Sequence, residues 1–271
     1  MTGGGRGDGG GGGGEARGGG ARRGRARYAR GMSIAVPESA SAAAVFTDPL
    51  DRCALSALTG RQAGFALTRG GACRYHPAVG VFAAVRDRSD ATLAGLAALV
   101  AEFGDVALLE ADPPAAIPGL RVVSEDAGVQ MVAGTMPAAR ATGDAIVPLG
   151  EADAPEMLAL ATLTEPGPFF AGTHRLGDFF GIRRDGALIA MAGERMKPAG
   201  ATEVSGVCTH PAHRGQGLAA ALMHHVAERI HARGETAFLH AYASNHGAIG
   251  LYERLGFRVR RELRMTRLGV G

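Results

Sequence analysis

The segment Val207-Cys208-Thr209-His210-Pro211-Ala212-His213-Arg214-Gly215-Gln216-Gly217-Leu218-Ala219 constrains this chain more than any other stretch. It joins a β-compatible run at 203–209 to a helical pattern at 218–233. In that pattern Leu218, Leu222, Val226 and Ile230 fall four residues apart on one stripe, and Gly234 stops the repeat. Two glycines at a helix start let the backbone come close to a ligand. The unpaired amides and the dipole there favour an anion such as a pyrophosphate. The sequence therefore predicts a phosphate-bearing ligand held by the main chain around 215–220.

One reading of those glycines is a dinucleotide fold, since Gly215-x-Gly217-x-x-Ala220 matches G-x-G-x-x-A. The context argues against it. In that fold the glycines follow their strand almost at once and open a chain of βα units with an acid near the end of the second strand. Here the polar insert 210–214 intervenes, little chain remains, and Glu235 lies ahead of its strand rather than at its end.

The surrounding sequence reads as an α/β domain over 144–271. A helix is expected at 151–164, with Pro155 and acids in its first turn, closed by the loop Glu165-Pro166-Gly167-Pro168. The runs 179–183 and 187–196 flank Arg184-Asp185-Gly186 and read as a β-hairpin. A strand at 236–242, a short helix at 248–254 closed by Gly256, and strands over 257–266 complete it. Ahead of a linker at 137–143, residues 32–143 form a smaller α/β unit, with strands at 79–85, 105–109 and 129–133 around a helix at 91–103. Its reactive side chains, Cys53, Cys73, His76 and Asp87, share no motif spacing.

Residues 1–31 hold 15 of the 43 glycines and seven arginines against Asp8 and Glu15, so no core is expected there and the stretch reads as disordered. Without it, 22 basic face 24 acidic residues, so the basic character of the chain belongs to this tail. An RNA-binding arm is one reading of it, although Tyr28 is its only aromatic; a coding start placed ahead of Met32 is the other. Nucleic acid is not an expected partner of the folded part. No apolar run is long enough for a membrane span and no signal-peptide core opens the chain. Three scattered cysteines make no disulfide framework, and a cytoplasmic protein is expected.

Arg214-x-x-Gly217-x-Ala219 after a strand ending in Thr209-His210-Pro211, followed by Asn245-x-x-Ala248-x-x-Leu251-Tyr252-x-x-Leu255-Gly256-Phe257, resembles the GNAT superfamily of acyl-CoA-dependent N-acyltransferases. The resemblance covers about 144–271, and over 165–195 it is closest to the branch that includes glycine N-acyltransferases. In that branch a degenerate half precedes the catalytic one, which would account for 32–143. It implies a twisted, mostly antiparallel sheet with two splayed strands, 203–209 and 236–242, and acetyl-CoA or another acyl-CoA wedged between them as co-substrate. The acceptor would be a primary amine of a small molecule, amino acid or peptide. A non-catalytic acyl-CoA-binding module is the alternative, and the oligomeric state stays open, a homodimer included.

The resemblance also distributes roles. Val207, Cys208 and Thr209 would pair with the pantetheine arm, and a backbone N–H near Val207 or Cys208 would face the oxyanion. Gly215, Gln216, Gly217, Leu218, Ala219 and Ala220 would hold the pyrophosphate, with charge added by Arg214. Asn245 would contact the cofactor or cap the helix behind it. Tyr252 matches the general acid. Two residues compete for the base: Glu203, on the same strand face as Ser205 and Val207 by simple alternation, and His240 on the facing strand. Glu194 is a third candidate unless it pairs with Arg195 or Arg183. For the acceptor, Phe169 and Phe170 would form an apolar wall and Arg175 would hold a carboxylate. Cys208 reads as a buried structural thiol. It can be drawn with His210 and His213 as a metal site, joined by His224, His225 and His231, but the 210–214 loop must wrap the cofactor and helix neighbours do not face together, so no metal is expected.

Overall fold

The computed structural model describes residues 48–114, 116–138 and 142–271, besides Met1. The tail 2–31, the Met32 start and part of the expected linker, 139–141, lie outside the described residues. After a 3-10 turn at Pro49–Arg52 come α1 (Cys53–Thr59), β1 (Ala66–Arg69), β2 (Ala72–Tyr75), β3 (Phe82–Val85), α2 (Asp90–Phe103), β4 (Val106–Glu110) and β5 (Leu120–Ala133). The second half holds β6 (Ile146–Leu149), α3 (Ala154–Thr164), β7 (Phe179–Arg184), β8 (Ala187–Glu194), β9 (Ala201–Thr209), α4 (Leu218–Ala232), β10 (Thr236–Tyr242), α5 (His246–Arg254) and β11 (Phe257–Val270).

The described strands form one sheet in the order β1-β2-β3-β4-β11-β5-β10-β9-β8-β7-β6. Apart from the edge strand β6, its pairing repeats on the two sides of the β11·β5 ladder. On each side the outer strands run antiparallel, one parallel pair follows, and that pair is joined by a helix: β3 and β4 through α2, β9 and β10 through α4. The symmetry is completed by an exchange. β5, from the first half, lies against β10, and β11, from the second half, lies against β4. No helix among the described residues is long and apolar enough to cross a membrane.

Local sequence explains the elements around the site. The stripe Leu218, Leu222, Val226 and Ile230 is buried under the sheet with Phe180, Ile189 and Leu239, so α4 is held by its apolar face. The hairpin β7–β8 closes through Asp185 and Gly186 at φ 51° and 82°, the left-handed pair a two-residue turn needs. Gly193 of β8 sits under the Phe179 ring, where an added Cβ would lie 2.4 Å from ring carbons. Gly193→Ala is therefore expected to cost about 1–3 kcal/mol of overpacking, read as a lower urea midpoint at unchanged slope. An unmoved midpoint would show that the ring can turn aside.

The strand at 129–133 extends back to Leu120, β11 is a single long strand, and α1, β1, β2 and β6 add to the elements expected. The main departure that bears on function is in β9. Gly206 takes φ +62° and the ladder with β8 breaks register between Met191 and Gly193, so β9 carries a bulge. Parallel pairing of β9 with β10 is confined to Ala201, Thr202 and Glu203 opposite Thr236, Ala237 and Phe238. Beyond Glu203 the two strands part.

Candidate active site

The parting of β9 and β10 opens a cleft of about 510 Å³. Val207, Cys208 and Thr209 form one wall, and Tyr242, Asn245 and Tyr252 the other. Arg214 and the residues from Gly215 to Ala220 close one end, and 164–167 cover it. Every residue that the sequence assigned to a cofactor thus borders one space. Gly215 and Gly217 have φ +77° and +79°, and a Cβ at either would meet no atom within 4 Å, so the loop keeps open room in front of its amides. The first helical bond of α4 runs from Ala221 N to Gly217 O at 3.0 Å, which leaves the amides of Leu218, Ala219 and Ala220 ahead of it. Gln216 turns its side chain to Arg184, whose Nη1 donates to Oε1 at 2.7 Å while Asp144 holds the same guanidinium. That clamp fixes the loop from outside and leaves main chain as what Gln216 presents to a ligand.

Asn245 caps α5, accepting from Ala248 N at 3.1 Å, and borders the cleft as well. Arg214 is exposed, with Nε donating to Thr209 O at 3.4 Å. The Thr209 hydroxyl is buried and has no hydrogen-bond partner among the described residues. Cys208 is buried among Met157, Phe179 and Met191, and burial pushes its thiol up to about 11, which suits packing rather than nucleophilic attack. His224 meets Pro137 O at 2.8 Å and His225 packs edge-on against Phe180, so these neighbours face apart.

A smaller cavity of about 80 Å³ adjoins the cleft and shares Val207, Tyr242, Asn245 and Tyr252 with it. Tyr252 stands at the junction. Burial raises the pKa of its phenol.

Glu203 and His240 do not stand as rivals facing the cleft. Val204, Ser205, Gly206 and Val207 border the small cavity, while Glu203 is fully buried and does not line it. Its carboxylate accepts from Arg195 Nε at 2.9 Å and Nη2 at 2.8 Å, from Met196 N at 3.2 Å and from His240 Nδ1 at 2.7 Å. Burial alone would push this carboxyl up. The Arg195 charge and hydrogen bonds, joined by His240, outweigh it and hold Glu203 well below the usual carboxylate range. The chain of bonds continues past His240. Arg260 Nη1, a donor only, fixes Gln130 Oε1 at 2.9 Å, so Gln130 Nε2 faces Leu50 O and, at 3.3 Å, His240 Nε2. This assigns His240 the Nδ1–H tautomer, with Nε2 accepting from Gln130. Arg260 ends the chain on Asp48 and Asp51. Glu194 is likewise buried, paired with Lys197 and Arg233 rather than with Arg195 or Arg183.

The acceptor residues read from sequence lie elsewhere. Phe169 packs edge-on against Phe179 at 5.7 Å, Phe170 donates its amide to Thr173, and Arg175 is exposed on the 3-10 turn Thr173–Leu176. None of the three borders the cleft or the small cavity; Pro166, Gly167 and Pro168 do. Phe82, Arg195 and Met265, which line the small cavity, went unassigned because they come from three distant strands and turns with no common motif.

Comparison with known proteins bears on this architecture. A model of the FR47-like protein family matches residues 179–266. A protein of Novosphingobium aromaticivorans DSM 12444, assigned to the GNAT family as an acetyltransferase, is 48% identical, with TM-score 0.76 over 83% of this chain and 99% of its own. This chain belongs to the GNAT family. A GCN5-related N-acetyltransferase from Kribbella flavida shares the fold at 20% identity, with TM-score 0.56 over 80% of this chain and 95% of its own. No curated protein matches. As a GNAT protein the chain has its splayed strands in β9 and β10 and its glycine loop ahead of α4.

Proposed function

We propose that this GNAT protein is an N-acyltransferase that takes an acetyl or other acyl group from acyl-CoA to a primary amine by direct attack. The observation that supports it best is the continuity of the two spaces: a long cleft ending in a phosphate-type glycine loop, and a small cavity beside it, meeting at Tyr252. The cleft fits the co-substrate by its donors. Amides at Leu218, Ala219 and Ala220 suit a pyrophosphate, the main chain of β9 suits an amide-bearing arm, and neither glycine has a side chain in the way. When bound, acyl-CoA supplies the acyl group as a thioester. Tyr252, kept protonated by its burial, would give its proton to the departing thiolate, and the proton shed by the attacking amine would restore the phenol. Glu203 and His240 serve as positioning residues that hold β9, β10 and β5 at the parting point.

We also read residues 32–143 as a degenerate copy of the same fold and 144–271 as the catalytic one. The mirrored pairing about β11·β5 supports that reading. The acceptor would be a small molecule, because the small cavity, with Phe82 and Met265 among its lining residues, holds only about 80 Å³.

The test is calorimetric titration with acetyl-CoA of the protein and of Gly217→Asp. Aspartate tolerates the left-handed backbone better than most residues and meets no atom there, so the variant is expected to fold. Its carboxylate beside the pyrophosphate is expected to raise Kd by about tenfold or more. Equal affinity would move the phosphate site away from this loop, and no binding by either would remove acyl-CoA as the co-substrate.

A further inference from the structure

We propose that the first half of the chain sets the height of the loop over the cleft, with Thr173 as the positioning residue; this deepens the acyltransferase reading and rests on it. The loop leads from the end of α3 to the start of β7. Glu165, Pro166 and Gly167 border the cleft, and Pro166, Gly167 and Pro168 border the small cavity. Yet 166–168 make no hydrogen bond to any described residue, and the two prolines have no N–H to give. Their place is therefore set by what holds the two ends of the loop. At the near end Glu165 closes α3 in a left-handed conformation, φ 49°, with its amide on Ala161 O at 2.8 Å.

The far end is held by the first half. The buried Thr173 hydroxyl accepts from Phe170 N at 2.8 Å and donates to Val79 O at 2.9 Å, so one group joins the loop to the turn at 76–80. Beside it Gly172 N donates to Ala78 O at 2.8 Å, and the chains lie so close that an added Cβ would be 2.9 Å from that oxygen. Gln62 secures the other side of the same 3-10 turn. Its Nε2 donates to Leu176 O at 3.1 Å and to Arg195 O at 2.7 Å, while its Oε1 accepts from Tyr75 Oη and Lys197 N. The receiving turn is fixed in its own right, since Val79 N and Gly80 N both donate to His76 O and Val79 shares one apolar cluster with Leu176. Only Phe169, edge-on to Phe179, separates Pro168 from the anchored residues Phe170 to Thr173, so a shift at Thr173 passes directly to the segment that borders both spaces. A loop held down for part of the time weakens apparent affinity in proportion to that fraction.

The experiment measures acetyl-CoA binding to the whole protein by calorimetry, and acetyl-CoA release by displacement with excess coenzyme A. Thr173→Val keeps the shape but leaves the Phe170 amide and the Val79 carbonyl without their partner, so the loop spends more time raised. Its Kd is expected to rise by about threefold to thirtyfold, carried by faster release rather than slower association. Thr173→Ser keeps a hydroxyl for both hydrogen bonds and should return Kd and release to within about twofold of the parent, which a role in packing alone would not do. Gly172→Ala probes the same contact with no polar group removed. Its Cβ must push the loop off Ala78 O, so it should weaken binding in the same way even where Thr173→Val does not fold. An unchanged Kd in Gly172→Ala or in folded Thr173→Val overturns the proposal, as does a Thr173→Ser protein that binds no better than Thr173→Val. Failure of the parent to bind acetyl-CoA at all would instead remove the acyltransferase reading on which it stands.

Discussion

Tyr252→Phe is expected to lower kcat and kcat/KM together by about a hundredfold or more while leaving the Kd for acetyl-CoA unchanged. The ring stays, so its packing against Phe257 at 6.4 Å and its place at the junction of cleft and cavity are kept. Only the hydroxyl goes. Among the described residues that hydroxyl has no hydrogen-bond partner, so its removal strands no buried group and stability should hold. Burial raises the phenol's pKa, which keeps the proton in place through the neutral range and makes the group a donor rather than a base. Equal losses in the two kinetic constants would mark an interaction made only as the bond to sulfur breaks. An unchanged kcat would take the acid role from Tyr252 and reduce it to a wall of the cleft.

What the sequence revealed and what it hid follow from how far apart the contributing residues lie. The glycine loop was legible because its chemistry is local: two left-handed residues, a strand before and an amphipathic helix after, all within 203–233. The hairpin at Asp185 and Gly186 was legible for the same reason. Residues 120–127 of β5 are exposed or nearly so on successive positions, so neither helical nor alternating periodicity marks them as strand. β2 buries Arg74 by giving its guanidinium the carbonyls of Tyr75, Gly104 and Asp105, a rescue no local pattern announces. The surroundings of Glu203 were not legible, because Arg195, the Met196 amide and His240, which enclose its carboxylate, come from a turn and a facing strand that no local pattern joins to it. The Gly206 bulge, by contrast, has a local mark, a glycine inside a strand. The small cavity was out of reach, since Phe82, Arg195, His240 and Met265 meet only through the exchange of strands between the halves.

The chain from Arg195 to Asp51 predicts the other large effect. Glu203→Gln leaves Arg195 buried without its counter-charge, and breaking such a pair from one side costs about 3–5 kcal/mol, read as a fall in the urea midpoint. The pH dependence tells electrostatics from packing. In the folded protein the Glu203 carboxyl titrates well below its unfolded value of about 4.3, so its stabilisation is fully present above that value. It is lost progressively as pH falls below it, because the unfolded chain then binds a proton that the folded one refuses. The variant should lack that component, so the gap in stability between the two proteins should narrow on acidification. A gap that stays constant from neutral to acidic pH would mean that shape, not charge, holds the site together. Activity supplies the last discrimination. His240 Nε2 accepts from Gln130, and Glu203 is enclosed by Arg195, His240 and the Met196 amide, so neither presents an open lone pair to the acceptor. His240→Asn is accordingly expected to lower stability while the acidic limb of its pH–rate profile stays where it is. Disappearance of that limb in His240→Asn would make His240 the base, and would require Gln130 to turn away when the amine arrives.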